Sequence, residues 1–225
     1  MVKLVNSESH VDSEIENNPN DHVPSSVGGL SGHIFRRMVH VGMIIIPVLY
    51  YYWDGVDFFA SLVFNSTKIQ FVSIMTFVLV IVEIIRLRFG LVVFGQRDYE
   101  SNQISAFFWG GFSICLVLLL APEYGFENSA FGMPLIISLS LVDPLMGELR
   151  RANFSSRTVS IIGYIGGLII WLNCSIFLDT PFVIAPFISA LIVASEWPRL
   201  TWIDDNATML LIPLTLILVI EPFLV

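Results

Sequence analysis

A run near the C-terminus, ASEWPRLTWIDDNATMLLIPL, sets Glu196, Arg199, Asp204, Asp205 and Asn206 between two long apolar stretches. Carboxylates and an amide in such a place are costly, because a charge at mid-bilayer costs about 2.5–3.5 kcal/mol on insertion scales. Their chemistry is that of hard-cation and phosphate sites. Similar groups recur upstream. GHIFRRMVHVG places Arg36, Arg37 and His40 three and four residues apart, so one helix face carries all three. Arginines at the end of a span also serve as anchors, and a buried histidine can be satisfied by a neighbour, so both readings stay open for that face.

IVEIIRLRFG buries Glu83 three residues before Arg86. It forms either a local ion pair or a carboxylate that orients one of the arginines of the first span. The following RDYESNQISAF adds Asp98, Glu100, Asn102 and Gln103, which read as an ordinary solvated loop. SLSLVDPLMGELRRAN holds Asp143, seven residues before Arg150 and so roughly 10 Å deeper along a helix. Pro144 lacks a backbone donor and disfavours helix at the residue before it, so a helix broken at Asp143 is expected. Broken helices at membrane depth line polar cavities, and a carboxylate at such a break suits Mg2+. Arginines grouped with carboxylates match a phosphate site holding a divalent cation. The chain has no GxxxxGK[ST] and no kinase glycine loop, so a nucleotide would have to bind on the membrane part itself.

Of the 225 residues, 55% are hydrophobic and 13% charged, beyond the range of an ordinary soluble domain. The apolar residues come in long runs, so the expected fold is all-α: a polytopic transmembrane helical bundle of about seven spans. The spans fall near 38–53, 69–87, 104–121, 130–149, 158–177, 181–195 and 207–224, with VDFFASLVF (56–64) interfacial. Residues 1–33 read as a polar, disordered tail and 34–225 as the transmembrane domain. The tail lacks a signal-peptide core, which leaves the first span as an uncleaved anchor. His10, His22 and His33 are scattered, and Cys115 and Cys174 sit inside apolar runs without metal spacing.

The net charge of −8 is misleading. The tail holds five acids against Lys3, leaving 14 acids and 10 bases for the rest. Nothing in this balance points to a nucleic acid. Arg36, Arg37, Arg86, Arg88, Arg97, Arg150, Arg151, Arg157 and Arg199 fall in one set of alternate loops, and only Lys68 in the other. By the positive-inside rule the N-terminus is cytoplasmic, and every polar cluster lies at the cytoplasmic face.

The order RRMVHVG, then Glu83-x-x-Arg86, then SLVDPLMGELRR, then E-x-P-x(5)-DDNATMLLIPL resembles the membrane polyprenol kinase family. That family contains dolichol kinase, phytol kinase and CTP-dependent diacylglycerol kinase, and is more loosely related to phosphatidate cytidylyltransferases. The resemblance covers about residues 34–215. It implies transfer of the γ-phosphate of a nucleotide, usually CTP with Mg2+, to a lipid alcohol. It implies that Asp143, Asp204 and Asp205 hold Mg2+ and that Arg36, Arg37, Arg150 and Arg151 hold the triphosphate. Asp143, Asp205 and His40 are the candidate catalytic groups, with Asp143 or Asp205 taking the alcohol proton. Glu83, Arg86, Glu196 and Asn206 support them. The chain departs from the family pattern at Arg150, which lacks a glycine directly before it, and at Arg157-Thr158-Val159-Ser160-Ile161, which lacks the usual glutamate and glycine.

Two other readings share the composition: a cytidylyltransferase acting on a lipid phosphate, and a non-catalytic anionic-lipid binding or transport protein. One-sided polar residues and the lack of internal repeats weigh against transport, whose sites lie at the midplane between repeats. The compact size favours a prokaryotic cell membrane over the endoplasmic reticulum.

Overall fold

The structure, a computed structural model, describes residues 2–4, 25–53, 55–198, 200 and 202–224. Most of the expected disordered tail, with His10 and His22, lies outside the described residues, as do Asp54 and Arg199. The helices are α1 (Gly29–Gly42), α2 (Ile45–Tyr52), α3 (Gly55–Phe64), α4 (Lys68–Arg88), α5 (Ala106–Leu120), α6 (Gly132–Arg151), α7 (Ser156–Phe177), α8 (Ala185–Glu196) and α9 (Asp205–Ile220). A short antiparallel pair, β1 (Val2–Leu4) and β2 (Leu91–Val93), sits beside this all-helical body, with Lys3 opposite Val92.

Five helical stretches are long and apolar enough to cross a membrane: Gly29–Tyr52, Lys68–Arg88, Gly132–Arg151, Ser156–Phe177 and Asp205–Phe223. Gly55–Phe64, Ala106–Leu120 and Phe182–Glu196 are shorter apolar helices. One end of the bundle is marked by Tyr52 Oη with Ser129 Oγ at 2.6 Å and by Thr180 Oγ1 donating to Ala130 O at 2.6 Å. The opposite end gathers the ionic contacts described below.

Local sequence explains most starts. Thr67 caps α4 in a reciprocal capping box with Gln70, and Ser105 and Ser155 cap α5 and α7. Gly28 stands before α1 at φ 94°, in the left-handed region open to glycine. The first helix therefore begins at Gly29, well before the expected start near 38, and takes His33 out of the tail and into the bundle. The 55–64 stretch expected at an interface is helical as α3.

The expected break at Asp143 is absent: α6 runs unbroken through Pro144. Proline in a helix interior costs about 3 kcal/mol, and packing absorbs it here, because α6 is the central helix. Its apolar window is 56% buried against 11% for α4, which places α4 at the periphery. Leu135, Ile136, Leu139 and Met146 of α6 meet Trp171, Ile188, Ile192, Met209 and Leu210 in one core. Trp171 Nε1 donates to Ser138 Oγ at 3.2 Å, so the buried indole is satisfied. Gly163 of α7 lets Met146 approach, and Gly167 does the same for Ser189, the small-residue packing common between membrane helices. Cys115 is half-buried, Cys174 is buried, and both are free thiols.

Candidate functional site

The ionic end of the bundle is assembled from α1, α6, α8, α9 and the loop after α4. Arg37 lies over α6: its Nε donates to Glu148 Oε1 at 2.9 Å, and its Nη1 is 3.9 Å from Asp143 Oδ2. His40, one turn deeper, donates from Nε2 to the Leu139 carbonyl at 3.1 Å, and the same nitrogen is 3.4 Å from Asp143 Oδ2. A carbonyl can only accept, so His40 Nε2 carries a proton. His40 Nε2 is thus oriented as a donor beside Asp143.

Gly147 makes room for this arrangement, since a Cβ there would collide with the Arg37 guanidinium. A mid-helix glycine costs about 1 kcal/mol relative to alanine. Gly147→Ala is expected to leave the fold intact while displacing Arg37. The gain in helix propensity should be offset by weakening a charge-assisted bond of about 1.5 kcal/mol, so a melting curve is expected to shift little.

Arg36, the neighbouring residue, turns toward the other wall. Its Nη1 donates to Glu100 Oε1 at 3.0 Å, and its guanidinium lies 5.9 Å from the Phe107 ring centre. Glu100 is itself buried, taking hydrogen bonds from the backbone N–H of Arg97 and of Ala106, both at 3.2 Å. The loop expected to be merely solvated therefore supplies the carboxylate that orients a first-span arginine. Sequence offered no signal for this, because an acid three residues after Arg97 looks like any polar loop. Glu83 does not orient that arginine. It makes the local pair: Arg86 Nε and Nη2 donate to its two oxygens, each at 2.8 Å. Arg86 also donates to the carbonyls of Leu91, Glu100 and Gln103, while Glu83 accepts from Ser105 N and Oγ. This buried pair shapes the loop that holds Glu100.

The C-terminal tract closes the site. Thr208 Oγ1 donates to the Ser195 carbonyl at 2.7 Å, which ties the start of α9 to the end of α8 and brings Asp205 beside Glu196. Asp143, Glu196 and Asp205 each offer one carboxylate oxygen within 4.8 Å of the others. Glu196 forms an ion pair with Arg150, whose guanidinium also covers the Trp197 ring at 5.7 Å. Arg150 takes Glu196 Oε1; the other oxygen, Oε2, is buried without a partner among the described residues, and Asn206 Oδ1 is likewise buried and unpartnered. Three hard oxygen donors, one of them with a buried oxygen left unpartnered, fit a divalent cation such as Mg2+.

Asp204, expected as a metal ligand, caps α9, its Oδ1 accepting from Asn206 N at 3.1 Å, while the carboxylates that come together are Asp143, Glu196 and Asp205. Burial first, and then the neighbouring Asp205 charge, push the Asp204 carboxyl well above the usual range. A carboxyl raised in the folded state loses stability as pH climbs from its unfolded value through its folded one. Asparagine caps helices as well as aspartate does. Asp204→Asn is therefore expected to match or exceed the wild-type melting temperature at neutral pH without added cation, with the gain vanishing in acid. A lower melting temperature at neutral pH would contradict the capping role.

Arg36, Arg37, Arg97, Arg150 and Arg151 join Asp143, Glu196, Asp205 and Asn206 around a cavity of about 430 Å³. A second cavity of about 350 Å³ adjoins it through Arg97, Tyr99, Glu196 and Asp205 and carries Trp109 and Trp202 on its wall. Cations in excess over a tight carboxylate set suit a polyanion bound with a metal ion. All the expected arginines and Asp143, Asp205, Glu196 and Asn206 thus converge; Glu83 and Arg86 stand behind them. Glu100, Glu148 and His33 were not anticipated. No protein-family model matches the chain, and no curated protein or solved structure matches it. Fold and site together define an all-helical protein with membrane-length helices and a carboxylate–arginine cavity at one end.

Proposed function

We propose that the chain is an integral membrane kinase that transfers the γ-phosphoryl group of a nucleotide to the hydroxyl of a polyprenol- or dolichol-type lipid alcohol. The nucleotide is CTP, by the resemblance of the motifs. The carrying observation is the convergence of Asp143, Glu196 and Asp205 with the arginines of one cavity. In this reading the polypeptide crosses the membrane seven times, Ala106–Leu120 and Phe182–Glu196 included. The arginine bias supports a cytoplasmic N-terminus and a cytoplasmic site, in a prokaryotic cell membrane by preference.

Arg36, Arg37, Arg150 and Arg151 bind and orient the phosphates and neutralise the charge that spreads over them. The hydroxyl oxygen forms the new bond to the γ-phosphorus, and the bond from that phosphorus to the β–γ bridging oxygen breaks, releasing CDP. The hydroxyl proton passes to a carboxylate of the set, Asp143 or Asp205. His40 and Arg37 hold Asp143 in place. Asp143, Glu196 and Asp205 would hold Mg2+, which when bound would supply positive charge to neutralise the phosphate oxygens.

The test is purified protein with γ-labelled CTP, Mg2+ and a panel of polyprenols, phytol and diacylglycerol. Label recovered in the lipid supports the kinase. Labelled pyrophosphate would instead support the cytidylyltransferase. Absence of turnover with every lipid would overturn both and leave a binding protein. Cysteines placed beside Arg151 are expected to react from the cytoplasmic side alone.

A further inference from the structure

A second kind of cavity among the described residues is apolar. A groove of about 760 Å³ runs along the outside of the bundle between α1 and α6. Its walls are Ile34, Met38 and Val41 of α1 and Leu145 of α6, all outward-facing; Met38 is 68% exposed. Gly42 and Pro144, which carry little or no side chain, deepen it. The volume lies within the usual range for small-molecule sites. The groove faces the surface that the membrane-length α1–α2 stretch and α6 present outward, so an apolar chain can enter it from the side.

One end is polar, and that end is shared. His33, Arg37 and Arg151 line both the groove and the arginine–carboxylate cavity. Glu148 stands at the junction, with His33 Nε2 at 3.2 Å, Arg37 Nε at 2.9 Å and Arg151 Nη1 at 3.5 Å. Asp143, next to Pro144, is 3.9 Å from Arg37 on the cavity side. The two arginines at the junction are thus balanced by two carboxylates. An occupant with a long apolar body and a small uncharged polar end fits: the groove side is apolar, and a hydroxyl can hydrogen-bond at the junction without altering its charge balance.

We propose that the α1–α6 groove is the lateral binding site for the apolar chain of a single-chain lipid alcohol, whose hydroxyl passes the Glu148–Arg37 junction to reach Asp143. This deepens the kinase reading and rests on it for the role of the hydroxyl, but binding in the groove can be read without turnover.

The experiment uses the full chain in nanodiscs of neutral phospholipid. The probe is an isoprenoid alcohol with a diazirine at its ω end, photolysed without nucleotide and mapped by mass spectrometry. The matching diazirine hydrocarbon, lacking the hydroxyl, is run in parallel. Crosslinks are expected on Ile34, Met38, Val41 and Leu145, with the hydrocarbon labelling them far less. Val41→Trp with Leu145→Trp fills the groove at exposed positions that the core does not use, and is expected to cut this labelling about tenfold, the loss of roughly two buried methylenes. Equal labelling of the outward face of α4, at Phe77 and Ile84, would overturn the proposal. So would indifference to the hydroxyl or to the tryptophans. Groove labelling in a protein that transfers no phosphate sustains the site while removing the kinase. Label transfer that the two tryptophans leave unchanged does the reverse.

Discussion

Asp143→Asn is expected to reduce phosphoryl transfer by about 10²–10⁴-fold, the range for losing a positioned proton-transfer group. The side chain is nearly isosteric, it lies on the unbroken helix α6, and its neighbours His40 and Arg37 can still donate to the amide oxygen. The fold should therefore survive, and a melting curve checks that it does. What changes is the charge in the carboxylate set with Glu196 and Asp205. A second readout needs no turnover. Mg2+ at a hundred times its dissociation constant stabilises a folded protein by about 2.7 kcal/mol, and that shift should be present in the wild type and lost in Asp143→Asn and Asp205→Asn alike. Asp204→Asn should keep it, because Asp204 caps α9 and the three carboxylates that come together are Asp143, Glu196 and Asp205. An undiminished rate in Asp143→Asn would remove this residue from the chemistry.

The second large effect is on stability. Arg86→Ala should destabilise the protein by about 3–5 kcal/mol, the cost of leaving an uncompensated charge at a buried pair. Glu83 and Arg86 have side chains 8% and 7% exposed and satisfy each other in bidentate fashion. Deleting the arginine also strands three loop carbonyls and loosens the support of Glu100, which holds Arg36. Glu83→Leu with Arg86→Met strands the same carbonyls but leaves no unpaired Glu83 charge, and should cost less than Arg86→Ala. Denaturant titration in detergent would measure the cycle. Additivity of the two single losses would mean that the pair is not coupled and that the loop is held by something else.

The sequence alone carried the helical, membrane-length character of the chain, because apolar runs long enough to span lipid have few other solutions. It also carried the residue types of the site. Arginines and acids inside such runs are expensive, so their positions stand out one by one: Arg36, Arg37, Asp143, Glu196, Asp205. The Glu83–Arg86 pair was legible too, since three-residue spacing puts both on one face of a helix.

Other features needed the tertiary structure. Pro144 predicts a break by local rules, and the packing around α6 overrides them. Asp204 and Asp205 are equivalent as neighbouring letters, and only the start of α9 separates a helix cap from a cavity-lining carboxylate. Glu100 gained its role from the fold that carries its loop back over α1, a relation between residues 64 positions apart. The groove between α1 and α6 has no signature at all, because its walls are the same aliphatic residues that line every outward face. Composition and spacing report what a residue costs where it stands; which residues meet depends on the packing of helices distant in the chain, and that packing made one cavity of the scattered charges.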